Sequence, residues 1–255
     1  MDQPGFIRGL WSVGRSLITI RRPRYGGSRT VDHSGFGAIL AELASSDGTD
    51  LYQHVAGLKS YLGLFSDFEQ SQLSRDEALA FWVNLYNAGA LALAGEAQRS
   101  GKTSVLGVPG AFSGPVAVVD GETLSLDAIE HAKIRRFKDP RIHSALVCGS
   151  VSCPTLRSAP FDGHDLDSQL EEQMASFMAN SGAKLHGDGT LELSRVFLWY
   201  GADFARPQRM PTIIPVTKSR LVDAISSWIP RAPSAVTNVV FQSYDWGLRC
   251  SVGAP

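Results

Sequence analysis

At 255 residues, with 44% hydrophobic and 19% charged side chains and a net charge of −1, the chain has room for a proper core and no global charge that would draw it to nucleic acid or an anionic surface. Three cysteines are too few, and odd in number, for a disulfide framework, so a reducing compartment, plainly the cytoplasm, is expected. No apolar run suggests a membrane-spanning helix, and the N-terminus lacks the long uncharged core of a signal peptide.

Residues 1–30 read as a basic arm and linker. Arg8, Arg15, Arg21, Arg22 and Arg24 fall there, with Arg29 just behind, and no acid follows Asp2. Phe6, Leu10, Val13 and Leu17 share a helical face with Trp11 close by, a pattern that suits a membrane surface or a partner protein. The plainer expectation is an arm packed on its own domain. Tyr25 to Ser28 reads as a linker.

Residues 31–250 are expected to form a single α+β domain, followed by a tail, 251–255. Ile39, Leu40 and Leu43 mark one helix, and Leu51 to Leu64 continues in helical pieces. Ser74 with Glu77 forms a capping box that opens a long helix from about Arg75 to Ala97. Phe81, Trp82, Val83, Leu85, Tyr86, Leu91 and Leu93 surround that helix with apolar groups, so it is expected to be central and buried. Against them Glu77, Asn84 and Asn87 form a polar stripe, which either bonds to loop backbone or lines a site.

Asp120-Gly121 and Asp188-Gly189 each supply the positive φ values of a two-residue hairpin turn. A helix over Leu126 to Phe137, carrying Glu130-His131, lies between the two hairpins. Further helices are expected over Asp165 to Asn180 and Thr217 to Trp228, and a last strand over Val236 to Trp246. Helices come first and hairpins mostly after, which gives α+β with a mostly antiparallel sheet.

The stretch Asp139 to Arg157, DPRIHSALVCGSVSCPTLR, concentrates the chemistry. Asp139-Pro140 is a turn, Ile142 to Val147 reads as a short buried strand, and Cys148-Gly149-Ser150 ends it beside free backbone N–H groups. Three readings of the cysteines stay open. Cys148 is a nucleophile, with His131 as base and Glu77 orienting it; His143, five residues away on a regular strand, would face the wrong side, and Glu130 would point away from its chain neighbour. Alternatively Cys148, Cys153 and a histidine bind zinc, at a spacing wide for such sites. Or both thiols are small buried hydrophobes.

The segments EALAFWVNLYNA from Glu77, LSLDAIEHAKIRR from Leu124, DPRIHSALVCGSVSCPTLR from Asp139, LSRVFLWYGADF from Leu193 and YDWGL from Tyr244 together resemble the signature blocks of the DUF547 family. The resemblance implies a papain-like fold, with its order of catalytic residues permuted, and a Glu-His-Cys constellation on Glu77, His131 and Cys148. It sets Asn84, Arg141 and His143 nearby and favours Cys148 over Cys153, whose place can hold serine. The expected function is a cysteine-dependent hydrolase or acyltransferase on a small-molecule or peptide substrate. It needs no cofactor or metal, with Asn84, Asn87, Arg141 and His143 lining the cleft. The alternative is a non-catalytic binding or scaffolding module of the same fold.

Overall fold

The structure, a computed structural model, describes residue 14 and residues 16–46, 50–229 and 235–253. Its first core is built on the helices α1 (Ser34–Ser45), α2 (Leu51–Gly63) and α3 (Arg75–Arg99). The 25 residues of α3 are long and apolar enough to cross a membrane, contrary to the sequence expectation. They are spent inside the fold instead: 94% of the most apolar window is buried, and Phe81, Trp82, Val83 and Leu85 have no exposed surface. A helix apolar all round is stable only where neighbours cover every side. One of those neighbours, α2, passes so close at Gly95 that a Cβ there would come within 2.7 Å of the Leu51 carbonyl.

Ser74 Oγ accepts from the Glu77 N–H at 3.2 Å, as the capping signal predicts, but the carboxylate of Glu77 does not close the box. It accepts instead from the N–H groups of Val31, at 2.8 Å, and Gly163, at 2.9 Å. The rest of the polar stripe does the same kind of work. Asn84 makes both bonds to Phe161, and Asn87 donates to the Ala145 carbonyl and accepts from the Val147 N–H. The stripe therefore ties three separate loops to α3, each tie satisfying backbone groups that burial would otherwise strand.

Strands β1 (Pro115–Val119) and β2 (Glu122–Ser125) form the first expected hairpin, with Asp120 at φ 53° and Gly121 at φ 70° in the turn. The described part of the arm docks on it. Arg21 N–H donates to Glu122 at 2.8 Å, the Arg21 guanidinium reaches the Asp120 carbonyl, and Arg24 pairs with the Asp120 carboxylate. Tyr25 to Ser28 is not a free linker: Gly26 and Gly27 donate to the Leu73 carbonyl, and Tyr25 packs on Phe137. The expected amphipathic face at Phe6, Leu10, Trp11 and Val13 lies outside the described residues.

Helix α4 opens as Leu126–Ala128, widens into a π turn over Ile129–Lys133, and tightens into a 3₁₀ turn over Ile134–Phe137. Beyond the Asp139-Pro140 turn, the expected strand is not formed. Ile142–Ala145 is a helical turn, α5, and Leu146 after it is extended. Proline is well suited to start a helical turn, and the Ser144 hydroxyl back-bonds to the Arg141 carbonyl at 2.7 Å. Asn87 takes the backbone groups a partner strand would have taken.

A second core gathers around Met174, Phe177, Leu191, Leu193, Phe197, Leu221 and Val239. It comprises α6 (Leu166–Phe177), β4 (Ala183–Leu185), β5 (Thr190–Leu193), α7 (Arg195–Ala205), α8 (Lys218–Ala224) and β6 (Asn238–Phe241). The β4–β5 hairpin is antiparallel as expected, but β6 adds to β5 in parallel. The short β3 (Leu156–Arg157) pairs in parallel with β7 (Val252–Gly253), so part of the expected tail is structural. The class is α+β, with antiparallel pairs and parallel pairs in equal number among the described residues.

Candidate functional site

After β6 the chain leaves the second core and runs back along the loop that follows α5. Val151 N–H donates to the Gly247 carbonyl and Arg249 N–H to that of Gly149. This crossing, rather than an extended last strand to Trp246, delivers Tyr244 to the cysteines. Cys148 Sγ lies 2.8 Å from Cys153 Sγ, 3.1 Å from Ser150 Oγ and 3.2 Å from the Tyr244 hydroxyl. The Cys148 N–H donates to Cys153 Sγ at 3.0 Å, and Ser150 Oγ lies 2.9 Å from the Tyr244 hydroxyl. Both thiols are free and partly exposed.

Gly149 makes the turn possible. Its φ is 76°, and a Cβ there would meet that of Ala94 on α3 at 2.7 Å. Held this way, residues 148–153 curl so that the two sulfurs face each other.

Two thiols this close do not ionise independently. Burial works against a Cys153 thiolate, but hydrogen bonds from Cys148, Ser150 and Tyr244, together with the Cys148 backbone N–H, outweigh it and bring the pKa down to about 6. Cys148 moves the other way: its hydrogen bond to Cys153 and its burial hold it protonated well above the usual thiol range. The charge therefore rests on Cys153, the sulfur that was set behind Cys148 in the sequence, because only Cys153 receives a backbone N–H from its partner.

A second polar cluster lies at the boundary of the two cores. His143 Nε2 donates to Asp203 Oδ2 at 2.9 Å, and Arg135 grips the same carboxylate through Nε at 2.7 Å and Nη2 at 2.9 Å. The His143 ring stacks on Tyr200 at 4.0 Å. His131 Nδ1 accepts from Arg135 Nη1 at 3.3 Å and lies 3.6 Å from Glu130 Oε1. Desolvation, aided by Arg135 and His143 and opposed by Glu130, lowers the His131 pKa to about 4, so its ring is neutral near pH 7. Glu130 is buried; burial opposes its charge, but His131, His143, Tyr200 and Arg135 outweigh that and hold its pKa down.

The π turn explains how neighbours in sequence serve one cluster. An α-helix rotates successive side chains by 100°, which is why Glu130 is expected to face away; a wider turn rotates them less and brings Glu130 and His131 together. Tyr86 neighbours both clusters. Its hydroxyl donates to Glu130 Oε2 at 3.3 Å, and burial, with Glu130, Tyr200 and Cys148 nearby, pushes its pKa well up.

The expected site residues thus divide. Cys148 sits in the thiol pair, and His131 and His143 sit together in the histidine cluster, but no hydrogen bond joins either ring to a sulfur among the described residues. Glu77, Asn84 and Asn87 are engaged with loop backbone. Arg141 is held by Asp139 and Asp167, each at 2.7 Å, and by Glu171 at 3.3 Å, so three carboxylates already occupy its fork. The site also contains Cys153, Ser150, Tyr244, Tyr86, Glu130, Arg135, Tyr200 and Asp203. Tyr200, Asp203 and Tyr244 lie within the last two resembling segments, where their chemistry carries no spacing signal.

Trp199, Tyr244 and Trp246 form an aromatic wall beside the thiols, with ring centroids 4.7 to 5.9 Å apart. Among the described residues the cysteine pair has no third potential metal ligand grouped with it, and the close group of potential ligands is Asp162, His164 and Asp165, elsewhere on the surface.

Residues 70–178 match a family described as "Protein of unknown function, DUF547". No curated protein and no solved structure matches the chain. The matched stretch runs from the approach to α3 through α6 and contains Cys148, Cys153, His131, His143, Glu130 and Arg135.

Proposed function

Since the chain is a DUF547 protein over residues 70–178, and that family's description assigns no activity, we propose from the site's geometry that it is a cysteine-dependent hydrolase or acyltransferase. The observation that carries the reading is the Cys148–Cys153 pair, in which two partly exposed sulfurs 2.8 Å apart share donors from Ser150 and Tyr244. An apolar structural thiol has no use for such a setting, whereas a nucleophile needs a stabilised thiolate.

The Cys153 thiolate adds to the acyl carbon, and the carbonyl oxygen takes the electron pair. The leaving amine, alcohol or thiolate then takes the proton held by Cys148, a thiol whose raised pKa keeps that proton in place until the adduct collapses. Water or an acyl acceptor releases the thioester and returns a proton to Cys148. The aromatic wall of Trp199, Tyr244 and Trp246 borders the acyl group. Both thiols must stay reduced, which suits the cytoplasm. Cys148 as nucleophile with His131 as base, on a papain-like frame, is the rival assignment within the same chemistry, and it requires His131 to leave Arg135 and turn to the sulfurs.

The test is a stopped-flow burst of p-nitrophenolate from p-nitrophenyl acetate on the reduced protein, with the S-acetyl group located by peptide mass. Acetyl on Cys153 that persists in His131→Ala supports the reading. Acetyl on Cys148 that is lost in His131→Ala selects the rival. No burst from folded protein leaves a non-catalytic binding module.

A further inference from the structure

The same two sulfurs carry a reaction that owes nothing to acyl transfer. We infer that Cys148 and Cys153 form a dithiol–disulfide couple that reduces disulfide substrates, closing to an intramolecular disulfide and reopening when reduced. The sulfurs are 2.8 Å apart and a disulfide bond is about 2.05 Å, so closure asks for a shift of less than an ångström, within reach of small side-chain rotations. The five-residue step between them is already curled, with the Cys153 N–H donating to the Ser150 carbonyl at 3.1 Å and Gly149 in its left-handed turn. Closure therefore needs no rearrangement of the backbone that joins the loop to residues 247–249.

The roles of the two sulfurs follow from their donors. Cys153 attacks a low-molecular-weight disulfide, forming a mixed disulfide and expelling one thiolate. Cys148 then loses its proton and attacks Cys153 Sγ, forming the internal bond and expelling the second thiolate. The substrate disulfide gains two electrons and leaves as two thiolates, one protonated by the proton from Cys148 and the other by solvent, while the protein loses two electrons and, starting from the Cys153 thiolate, one proton. Hydroxyls of Ser150 and Tyr244, each in reach of both sulfurs, stabilise whichever sulfur is anionic at each stage. Cys250 takes no part, since it is buried and its thiol is held protonated by that burial.

The full-length protein is equilibrated in buffers of reduced and oxidised glutathione at pH 7, quenched in acid, alkylated after denaturation, and digested with trypsin. Ile142 to Arg157 is one tryptic peptide holding both cysteines. The expected result is that this peptide becomes lighter by two hydrogens and unalkylated as the buffer is made oxidising, reverses with reduced glutathione, and shows one midpoint, while Cys250 stays alkylatable throughout. In Cys148→Ser a glutathione adduct should persist on Cys153. A wild-type peptide that stays doubly alkylated across the range, or that accumulates glutathione adducts in place of the internal bond, overturns the inference. No ester is used, so the result is independent of the acetyl burst.

Discussion

His143 and Asp203 meet across the boundary between the two cores, Nε2 to Oδ2 at 2.9 Å, and Arg135 closes on the same carboxylate from α4. Asp203 is 0% exposed and Arg135 2%, so this is a buried charge pair whose members depend on each other. Removing one leaves the other desolvated and alone. Asp203→Asn is expected to destabilise the protein by about 3–5 kcal/mol, measured by urea unfolding, and Arg135→Met by a comparable amount, because it leaves the Asp203 carboxylate buried without its guanidinium partner. Equal stability of Asp203→Asn and wild type would mean that the two cores do not rely on this link.

Stability should fall as the pH drops from about 6.5 to 4. Desolvation lowers His33 and His131 each to about 4 in the folded state, while unfolded histidine titrates near 6.5. Between those values the unfolded chain binds up to two more protons, so the loss approaches about 2.7 kcal/mol per pH unit at its steepest. Asp203 adds a further loss at lower pH. Burial opposes its charge, but His143 and Arg135 hold its pKa well below the usual range, so its contribution is present above about 4 and disappears on further acidification. Urea midpoints at pH 7.5, 6 and 5 measure the first slope, and His131→Gln should remove about half of it. A midpoint that does not move between pH 7.5 and 5 would contradict the buried neutral state of both rings.

Much of this fold is legible in the residues. The bond from the Glu77 N–H to Ser74, the apolar surround of α3 and the two Asp-Gly turns are local signals and each forms where expected, whereas the other half of the capping box is lost to the distant N–H groups of Val31 and Gly163. Ile142 to Val147 fails for the same reason: a six-residue stretch with four apolar side chains suits strand or helix, and the choice is made by Asn87 on α3, which claims the backbone groups of Ala145 and Val147. The site is legible in part. Cys148, His131 and His143 are found by chemistry, but the partners Asp203 and Tyr244 lie 60 and 96 residues beyond the groups they touch, a relation set by the crossing of the two cores. Glu130 was hidden by the assumption of a regular α-helix.

The stripe on α3 gives a prediction that separates structure from catalysis. Glu77 accepts two backbone N–H groups, and a glutamine would turn its NH₂ toward one of them. Glu77→Gln is expected to cost about 1–3 kcal/mol in chemical denaturation. It should leave unchanged the pH at which the thiol pair becomes reactive to iodoacetamide, because the carboxylate contacts neither a sulfur nor His131. A shift of that titration by a pH unit would instead make Glu77 part of the catalytic chemistry.

Gly149 ties the packing of α3 to the reactivity of the thiols. Alanine there must hold φ near 76° and put its Cβ 2.7 Å from that of Ala94. The left-handed conformation costs about 1–2 kcal/mol, and the overlap about 1–3 more unless the loop moves. If the loop moves, Cys148 and Cys153 separate, Cys153 loses the Cys148 N–H, and its pKa rises toward that of a free thiol. Gly149→Ala is therefore expected to lower stability by about 2–5 kcal/mol and to slow iodoacetamide labelling of Cys153 at pH 7 by roughly tenfold, the consequence of a pKa rise of about two units from about 6. Adding Ala94→Gly removes the overlap but not the φ cost, so the double variant should regain most of the labelling rate and only part of the stability. Rapid labelling in Gly149→Ala, with the loss of stability intact, would show that the thiolate does not depend on the curl of this loop.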